Sequence, residues 1–191
     1  MLDLATLRYQ AFYCEENAFH LSQHPHFAGR HASALFVTGA AGECVMWHQK
    51  AARRPSAPLS WDYHVFVLAR DPWEIWDLDT VLGCPVPAEA YLRRSFRPEL
   101  ALPVELSPVF RLVGAAELEA TFASDRSHMR RLDGRYVKPP PPWEPIEAAG
   151  ATSNLRRFLD MGDPIAGEVM DLAALLARVT SDGGESAPGT R

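Results

Sequence analysis

The feature that most constrains this chain is a pair of short apolar runs separated by a turn. Residues 61–68 (WDYHVFVL) and 73–80 (WEIWDLDT) are rich in aromatic and β-branched residues, which favour strands. The residues between them, Ala69-Arg70-Asp71-Pro72, are typical of a turn. Because apolar side chains fall on both faces of each run, we expect an antiparallel strand pair that is buried on both sides at the centre of a sheet.

The rest of the chain indicates a mixture of helices and further strands. Helical spacing of apolar residues predicts helices over 15–22, 87–96, 115–122 and 172–179, the last with Asp171 as N-cap. Strands are predicted over 34–38, 43–48 and 109–113, the first two forming a hairpin around the glycine-rich turn 39–42. Runs of strands with helices at either end predict an α+β fold with a central antiparallel sheet, and not a doubly wound parallel sheet.

Length and composition indicate one domain of ordinary globular type. The chain has 191 residues, of which 47% are hydrophobic and 23% charged. We expect a single domain over residues 1–180 and a flexible C-terminal tail over 181–191, which is rich in Gly, Ser and Pro. The net charge of −5, without a basic block, argues against a nucleic-acid binder, and no apolar run approaches the ~18–20 residues of a membrane span. Without a signal-peptide pattern or a coiled-coil repeat, a cytoplasmic monomer is expected.

A histidine and an acid are predicted to meet in the strand pair. If residues 69–72 form a four-residue loop, Leu68 faces Trp73, and this register sets His64 directly opposite Asp77. Facing side chains have Cβ atoms about 4.5–5.5 Å apart, which lets a carboxylate accept a hydrogen bond from an imidazole. A slip of one residue would remove the acid. Two interpretations stay open: a satisfied buried polar network, or the base and orienting acid of a thiol-enzyme triad.

The nucleophile that such a triad requires is best supplied by Cys14. It lies at the predicted start of the first helix, where the helix dipole favours a thiolate, although Glu15 and Glu16 in the first turn oppose that effect. Cys44 in a strand and Cys84 in a Gly-Cys-Pro turn are interpreted as structural. The odd number of cysteines and the lack of a CxxC pair argue against a disulfide framework or a cysteine zinc site.

Several multi-residue blocks occur in an order that resembles a known family. They are Tyr13–Asn17 (YCEEN), Trp61–Val65 (WDYHV), Asp77–Thr80 (DLDT), Phe122–Met129 (FASDRSHM), the proline run Pro139–Pro142 and Asn154-Leu155. Together they are similar to the protein N-terminal glutamine amidohydrolases, whose family is also named after its WDYHV motif. The resemblance extends from about Tyr9 to Val179.

This resemblance implies a papain/transglutaminase-like α+β fold with the nucleophilic cysteine at a helix N-terminus. It also implies an activity: removal of the side-chain amide from an N-terminal Gln of a peptide or protein, which leaves Glu and ammonia. The family's triad corresponds to Cys14, His64 and Asp77, in agreement with the register argument. No cofactor is implied.

Recognition of a chain terminus requires a group that pairs with the free α-ammonium. A buried carboxylate would serve, because an internal Gln would leave it unpaired. The candidates are Asp125, Glu16, Asp62 and Asp79, with Asp125 foremost because it lies in the FASDRSHM block, although it is equally typical of an N-cap or turn. Trp61 and Tyr63 are candidates for the walls of a Gln slot, but aromatic residues at strand spacing commonly belong to the core.

Three other hypotheses remain open. Four histidines, His20, His24, His26 and His31, suggest a metal site, but no HExxH motif occurs and we expect no metal. A related thiol enzyme could act on internal Gln, as a transglutaminase or deamidase does. A degenerate member of the family would bind peptide N-termini without catalysis.

Overall fold

The computed structural model of the chain describes residues 2–54, 56–148 and 150–181. In this part of the chain the strands are β1 (Ala32–Gly39), β2 (Cys44–Met46), β3 (Leu59–Trp61), β4 (His64–Ala69), β5 (Glu74–Trp76), β6 (Val86–Pro87), β7 (Pro108–Gly114) and β8 (Glu168–Asp171). The α-helices are α1 (Cys14–Ser22), α2 (Ala88–Phe96), α3 (Ala115–Thr121), α4 (Leu155–Leu159) and α5 (Leu172–Ser181).

Six of these strands form one antiparallel sheet in the order β6-β5-β4-β1-β7-β8. Neighbouring residues of β1 point to opposite faces and enter two separate cores. One core is completed by apolar side chains of α1, α3 and α4, and the other by those of α2 and α5. Helices therefore cover both faces of the sheet, which confirms the predicted α+β class with a central antiparallel sheet.

The predicted hairpin of β1 and β2 is wrong. β1 pairs with β4 on one side and β7 on the other, whereas β2 pairs with β3 in a separate two-stranded sheet. The turn itself forms, since the amide of Gly42 donates to the carbonyl of Gly39 at 2.9 Å. A side chain on Gly39 would collide with the backbone of Glu43 and Glu105. The backbone segments at Glu43 and Glu105 therefore pack closely against Gly39. The chain then leaves the main sheet, and β2 pairs with β3 instead of β1.

The predicted strand pair of residues 61–68 and 73–80 forms, but in a different register. Leu68 pairs with Ile75 and not with Trp73, a shift of two residues, because fully buried Ala69 extends β4 and pairs with Glu74. A shift of two preserves the faces, since side chains alternate with period two. The first run is also divided: Trp61 ends β3 in the small sheet, and β4 begins only at His64.

The helix predictions are closely matched. α1 begins at Cys14, and the carboxylate of Asp171 accepts from the amide of Ala174 at 2.8 Å as the N-cap of α5. Short α4 and edge strand β8 were not predicted. None of the helices in the described ranges has the length and apolarity to cross a bilayer. Of the predicted tail, Ser181 is the last residue of α5, and residues 182–191 lie outside the described residues.

Candidate active site

A histidine–aspartate pair lies buried at the beginning of β4. Nε2 of His64 donates to Oδ1 of Asp77 at 3.0 Å, and each side chain is 1% exposed. Asp77 follows the last residue of β5, so it is not part of the strand ladder. The predicted contact therefore occurs although the predicted register is wrong: the chain turns at Asp77 and brings its carboxylate back to the imidazole.

Three further groups hold the Asp77 carboxylate. The hydroxyl of Tyr91 donates to Oδ2 at 2.7 Å, the side-chain amide of Gln49 approaches the same oxygen at 3.4 Å, and the backbone amide of Asp79 donates to Oδ1 at 2.8 Å. Sequence reasoning missed Tyr91 and Gln49 as parts of the site. A tyrosine on the apolar face of helix α2 was a usable signal, because a buried tyrosine hydroxyl normally has a hydrogen-bond partner.

The electrostatics of this pair favour the charged imidazole. Burial alone would lower the pKa of His64, but the charge of Asp77 and its hydrogen bond raise it above the ordinary value. Burial likewise opposes ionisation of Asp77, yet His64, Tyr91 and the amide of Asp79 keep the pKa of this carboxyl below its ordinary value. The ring of Trp61 stacks on the imidazole, with centroids 5.6 Å apart and planes 12° apart, which fixes its orientation.

Cys14 is the first residue of α1 and lies against β4. Its side chain is buried, and the backbone amide of Val65 lies close to the sulfur. Burial raises the pKa of the thiol well above its ordinary value, and the negative charges of Glu15, Asp79 and Asp77 raise it further. As expected from the sequence, the charge of Glu15 raises the pKa of the thiol and so opposes formation of the thiolate.

A cavity of about 870 Å³ opens beside the cysteine and the histidine. Cys14 and His64 both line it, so a ligand in the cavity meets the thiol and the imidazole together. Four of the predicted substrate-binding residues are also in the lining: Trp61, Asp62, Tyr63 and Asp79. Asp79 is half-buried, and one of its oxygens accepts from the hydroxyl of Tyr9 at 2.7 Å.

The other two predicted substrate-binding residues lie away from this lining. The carboxylate of Glu16 is fully buried and accepts two hydrogen bonds from Arg126, at 2.7 and 2.9 Å, and one from the indole of Trp143 at 2.8 Å. Asp125 is half-buried and accepts from the amide of Ser127 at 2.8 Å. Both carboxylates are thus engaged with groups of the protein itself.

Glu15 is a component of the site that sequence reasoning did not propose as a ligand group. It is 1% exposed, and its Oε2 lies 3.8 Å from Sγ of Cys14 and accepts from the hydroxyl of Tyr63 at 3.1 Å. Its Oε1 lies 3.2 Å from Nε2 of His128, another cavity residue, without a hydrogen bond between them. Its position directly after the cysteine was the only available signal.

The remaining cysteines and histidines lie outside this arrangement. Cys44 is fully buried in β2, and Cys84 is partly exposed. Burial raises the pKa of each thiol to about 12. Neither cysteine lines the cavity. His20, from the predicted histidine cluster, faces the guanidinium of Arg8 at 3.1 Å. Within the described ranges one group of three candidate metal donors occurs, His64, Asp77 and Asp79, and the first two already bond to each other.

Comparison with known proteins gives a consistent result. A family model described as N-terminal glutamine amidase matches residues 9–179. A protein N-terminal glutamine amidohydrolase from Arabidopsis thaliana is 35% identical over 172 residues, which are 84% of this chain and 78% of that relative. The protein of the same name from Drosophila grimshawi is 36% identical over 167 residues, 83% of this chain and 80% of the relative.

Proposed function

The chain belongs to the N-terminal glutamine amidase family, and we propose that Cys14, His64 and Asp77 carry out its reaction. It is an amidohydrolase that converts an N-terminal Gln of a peptide or protein to Glu and releases ammonia. The observation that carries the assignment of residues is the cavity that Cys14 and the Asp77-bound His64 both line.

The first half-reaction transfers the γ-glutamyl group to sulfur. The thiol of Cys14 loses its proton to His64, and the sulfur attacks Cδ of the Gln side chain to give a tetrahedral oxyanion. When the C–N bond breaks, the imidazolium of His64 protonates the leaving nitrogen, so that ammonia departs and a γ-glutamyl thioester remains. General acid–base assistance of this kind contributes about 10²–10⁴-fold in rate.

The second half-reaction is hydrolysis of the thioester. His64, again neutral, takes a proton from water as the oxygen attacks the thioester carbon, and the proton returns to the departing sulfur of Cys14. Asp77 accepts the Nε2 hydrogen throughout, which leaves Nδ1 as the nitrogen that exchanges protons. The backbone amide of Cys14 is our candidate for an oxyanion-hole donor, because the first amides of a helix are not used by its own hydrogen-bond ladder.

We also propose that the fold is papain/transglutaminase-like. The features that support this are a cysteine at the first position of α1, the packing of that helix on β4 and the histidine at the start of β4 in an antiparallel sheet. The three cysteines are free, which fits the reducing conditions of a cytoplasmic protein. We propose that the enzyme works there as a monomer.

The substrate terminus is proposed to enter the cavity lined by acidic and aromatic residues. Of the six predicted substrate-binding residues we retain Trp61, Asp62, Tyr63 and Asp79, because they line the cavity. Glu16 and Asp125 are better explained as structural, since their carboxylates are held by protein groups. The carboxylates of Asp62 and Asp79 in the lining attract the positively charged α-ammonium of a chain terminus.

The test is ammonia release from three peptides that begin with Gln, acetyl-Gln or Asn. The intact chain is expected to act on the free Gln peptide alone, and Cys14→Ala and His64→Ala are expected to abolish the activity. Cys44→Ala and Cys84→Ala serve as controls that retain near-normal turnover. Ammonia release by Cys14→Ala would refute the mechanism. Equal rates on free and acetylated Gln would indicate a deamidase of internal Gln, and peptide binding without ammonia would indicate a pure binding protein.

A further inference from the structure

The carboxylate of Glu15, the second residue of α1, lies beside the candidate nucleophile. Both of its oxygens face groups that line the cavity: Oε2 lies 3.8 Å from Sγ of Cys14 and 3.1 Å from the hydroxyl of Tyr63, and Oε1 lies 3.2 Å from Nε2 of His128. The side chain itself is buried. Glu15 therefore lies directly behind the part of the cavity wall where the reacting amide must bind.

One oxygen of this carboxylate lacks a hydrogen-bond partner. Among the described residues Oε1 of Glu15 has none, and neither do the two ring nitrogens of His128 beside it. The next residue shows the contrast, because buried Glu16 is fully satisfied by Arg126 and Trp143. A buried carboxylate oxygen without a hydrogen-bond donor is costly, and the imidazole of His128, 3.2 Å from Oε1, pairs with this oxygen as a cation only when it is protonated. The position therefore suits a donor that arrives with a ligand.

The charge around the thiol points to the same kind of ligand. Glu15, Asp79 and Asp77 all place negative charge near the sulfur of Cys14. Negative charge at this point opposes formation of the thiolate that attacks the substrate. A cation bound among these carboxylates would offset their effect, and the substrate brings one in its α-ammonium.

We propose that Glu15 is the carboxylate that binds the α-ammonium of the N-terminal glutamine. This inference rests on the proposed function. Standard bond lengths place the α-nitrogen of Gln about 4–5 Å from its Cδ, so an ammonium can reach a carboxylate beside Sγ while Cδ lies at the sulfur. The ammonium takes the place beside Oε1 that the imidazole of His128 now covers, and His128 shifts to admit it.

The acidic residues predicted from the sequence fit this role less well. Asp62 is exposed, so water would solvate it when an internal Gln binds, and little selectivity would result. Asp79 is only half-buried, and the neighbouring imidazole of His64 already compensates its charge. Only a buried group that stays unpaired with the wrong substrate discriminates strongly. Glu15 is buried and its Oε1 has no hydrogen-bond donor among the described residues, so acetylation of the terminus would leave this oxygen without one.

The experiment measures binding without turnover. Calorimetric titration of the Cys14→Ala chain with a Gln-initiated peptide and its acetylated form is expected to show at least about tenfold tighter binding of the free form, the effect of one charged hydrogen bond. In Cys14→Ala/Glu15→Gln that ratio is expected to fall below about threefold. Gln keeps the size of the side chain and an oxygen that accepts from Tyr63. A matched control is Glu89→Gln, since Glu89 is the exposed second residue of α2, and there the ratio is expected to stay unchanged.

A second variant protects the test against misfolding. Glu15→Asp keeps the charge but draws it back by one methylene, and we expect an intermediate ratio. An undiminished ratio in Glu15→Gln, or in Glu15→Asp if the first variant does not fold, would overturn the proposal. The proposal would also be overturned if Asp62→Asn lost the preference for the free over the acetylated peptide while Glu15→Gln kept it.

The outcomes for Glu15 and for the enzyme can be told apart. If the chain with Cys14 intact releases ammonia from the free Gln peptide while Glu15→Gln keeps its preference for that peptide, the enzyme assignment holds and the role of Glu15 is wrong. If the intact chain releases no ammonia, the proposed function is wrong. A binding preference for the free terminus that depends on Glu15 would then still support Glu15 as an ammonium-binding residue.

Discussion

Asp77 accepts a hydrogen bond from Nε2 of His64 at 3.0 Å although it lies one residue beyond the end of β5. The strand ladder therefore does not fix the position of this carboxylate. Tyr91, Gln49 and the backbone amide of Asp79 fix it instead. The orientation of the imidazole consequently depends on a set of buried hydrogen bonds, and those that side chains donate can be tested by substitution.

The first prediction concerns Asp77→Asn. The amide has nearly the shape of the carboxylate, but it lacks the charge that favours the imidazolium, and its NH₂ group can favour the wrong tautomer of His64. We expect kcat for ammonia release to fall by about 10²–10⁴-fold, with residual activity remaining. Steady-state kinetics measure the effect, and circular dichroism checks that the variant is folded. A loss of less than about threefold would contradict the role of Asp77.

The second prediction concerns Tyr91→Phe. The substitution removes the hydroxyl that donates to Asp77 at 2.7 Å but keeps the ring that packs on Phe66. We expect a fall in kcat of about 3–10-fold and a loss of about 1 kcal/mol in the free energy of unfolding, the usual effect of one buried hydrogen bond. Tyr136→Phe is the control, since the Tyr136 hydroxyl bonds exposed Arg130. Equal effects of the two substitutions would exclude a positioning role for Tyr91.

The third prediction concerns the pH dependence of stability. Despite burial, Asp77 raises the pKa of His64. The stabilisation from proton binding to His64 is therefore fully present below its unfolded pKa of about 6.5, and it is lost as the pH rises through the folded pKa. We expect the difference in unfolding free energy between the intact chain and Asp77→Asn to be larger at pH 5.5 than at pH 9. Urea denaturation at both pH values measures it, and a difference that grows with pH would contradict the assignment.

The sequence predicted those parts of the site that depend on local pattern. The start of α1 at Cys14 follows from apolar spacing. The contact between His64 and Asp77 was predicted correctly but from the wrong register, because Asp77 lies beyond the end of β5 and hydrogen bonds hold its carboxylate in place. The register within that pair was predicted wrongly because Ala69, assigned to the loop, belongs to β4 and pairs with Glu74. The wrong hairpin has a similar cause, since the choice of partner for β1 depends on β4 and β7, which are distant in sequence.

The other residues of the site could not be predicted either, because their contacts also join segments that are distant in sequence. Tyr91 lies 14 residues from Asp77, and Gln49 lies 28 residues away in the opposite direction. Their contacts arise only when α2 and the segment after β2 pack against the end of β5. Similarly, the difference between Glu15 and Glu16 depends on Arg126, 110 residues from Glu16 in the sequence, which pairs with the second glutamate. Spacing alone gives no information on such tertiary pairs.

The fourth prediction concerns alkylation of Cys14. Burial and the nearby carboxylates raise the pKa of its thiol well above the ordinary value, so the free enzyme holds it as a thiol at neutral pH. We expect alkylation by iodoacetamide at pH 7 to be slower than that of a small-molecule thiol and to increase steadily as the pH is raised above 9. Peptide mapping by mass spectrometry measures the rate at this residue. A rate that is already maximal near pH 6–7 would show a thiolate in the resting enzyme and contradict the expectation.

The fifth prediction concerns the buried ion pair of Glu16 and Arg126, which links α1 to the segment after α3. Glu16 has no exposed side-chain surface and Arg126 only 5%, and the two hydrogen bonds between them measure 2.7 and 2.9 Å. Replacing Arg126 by Met would leave the buried charge of Glu16 without its cation, so we expect the free energy of unfolding to fall by about 3–5 kcal/mol. Arg93→Met is the matched control, because Arg93 pairs with Glu89 at the surface, and it is expected to cost about 0–1 kcal/mol. Urea denaturation of both variants at neutral pH decides the point: if the two variants lose the same stability, the buried pair contributes no more than a surface pair.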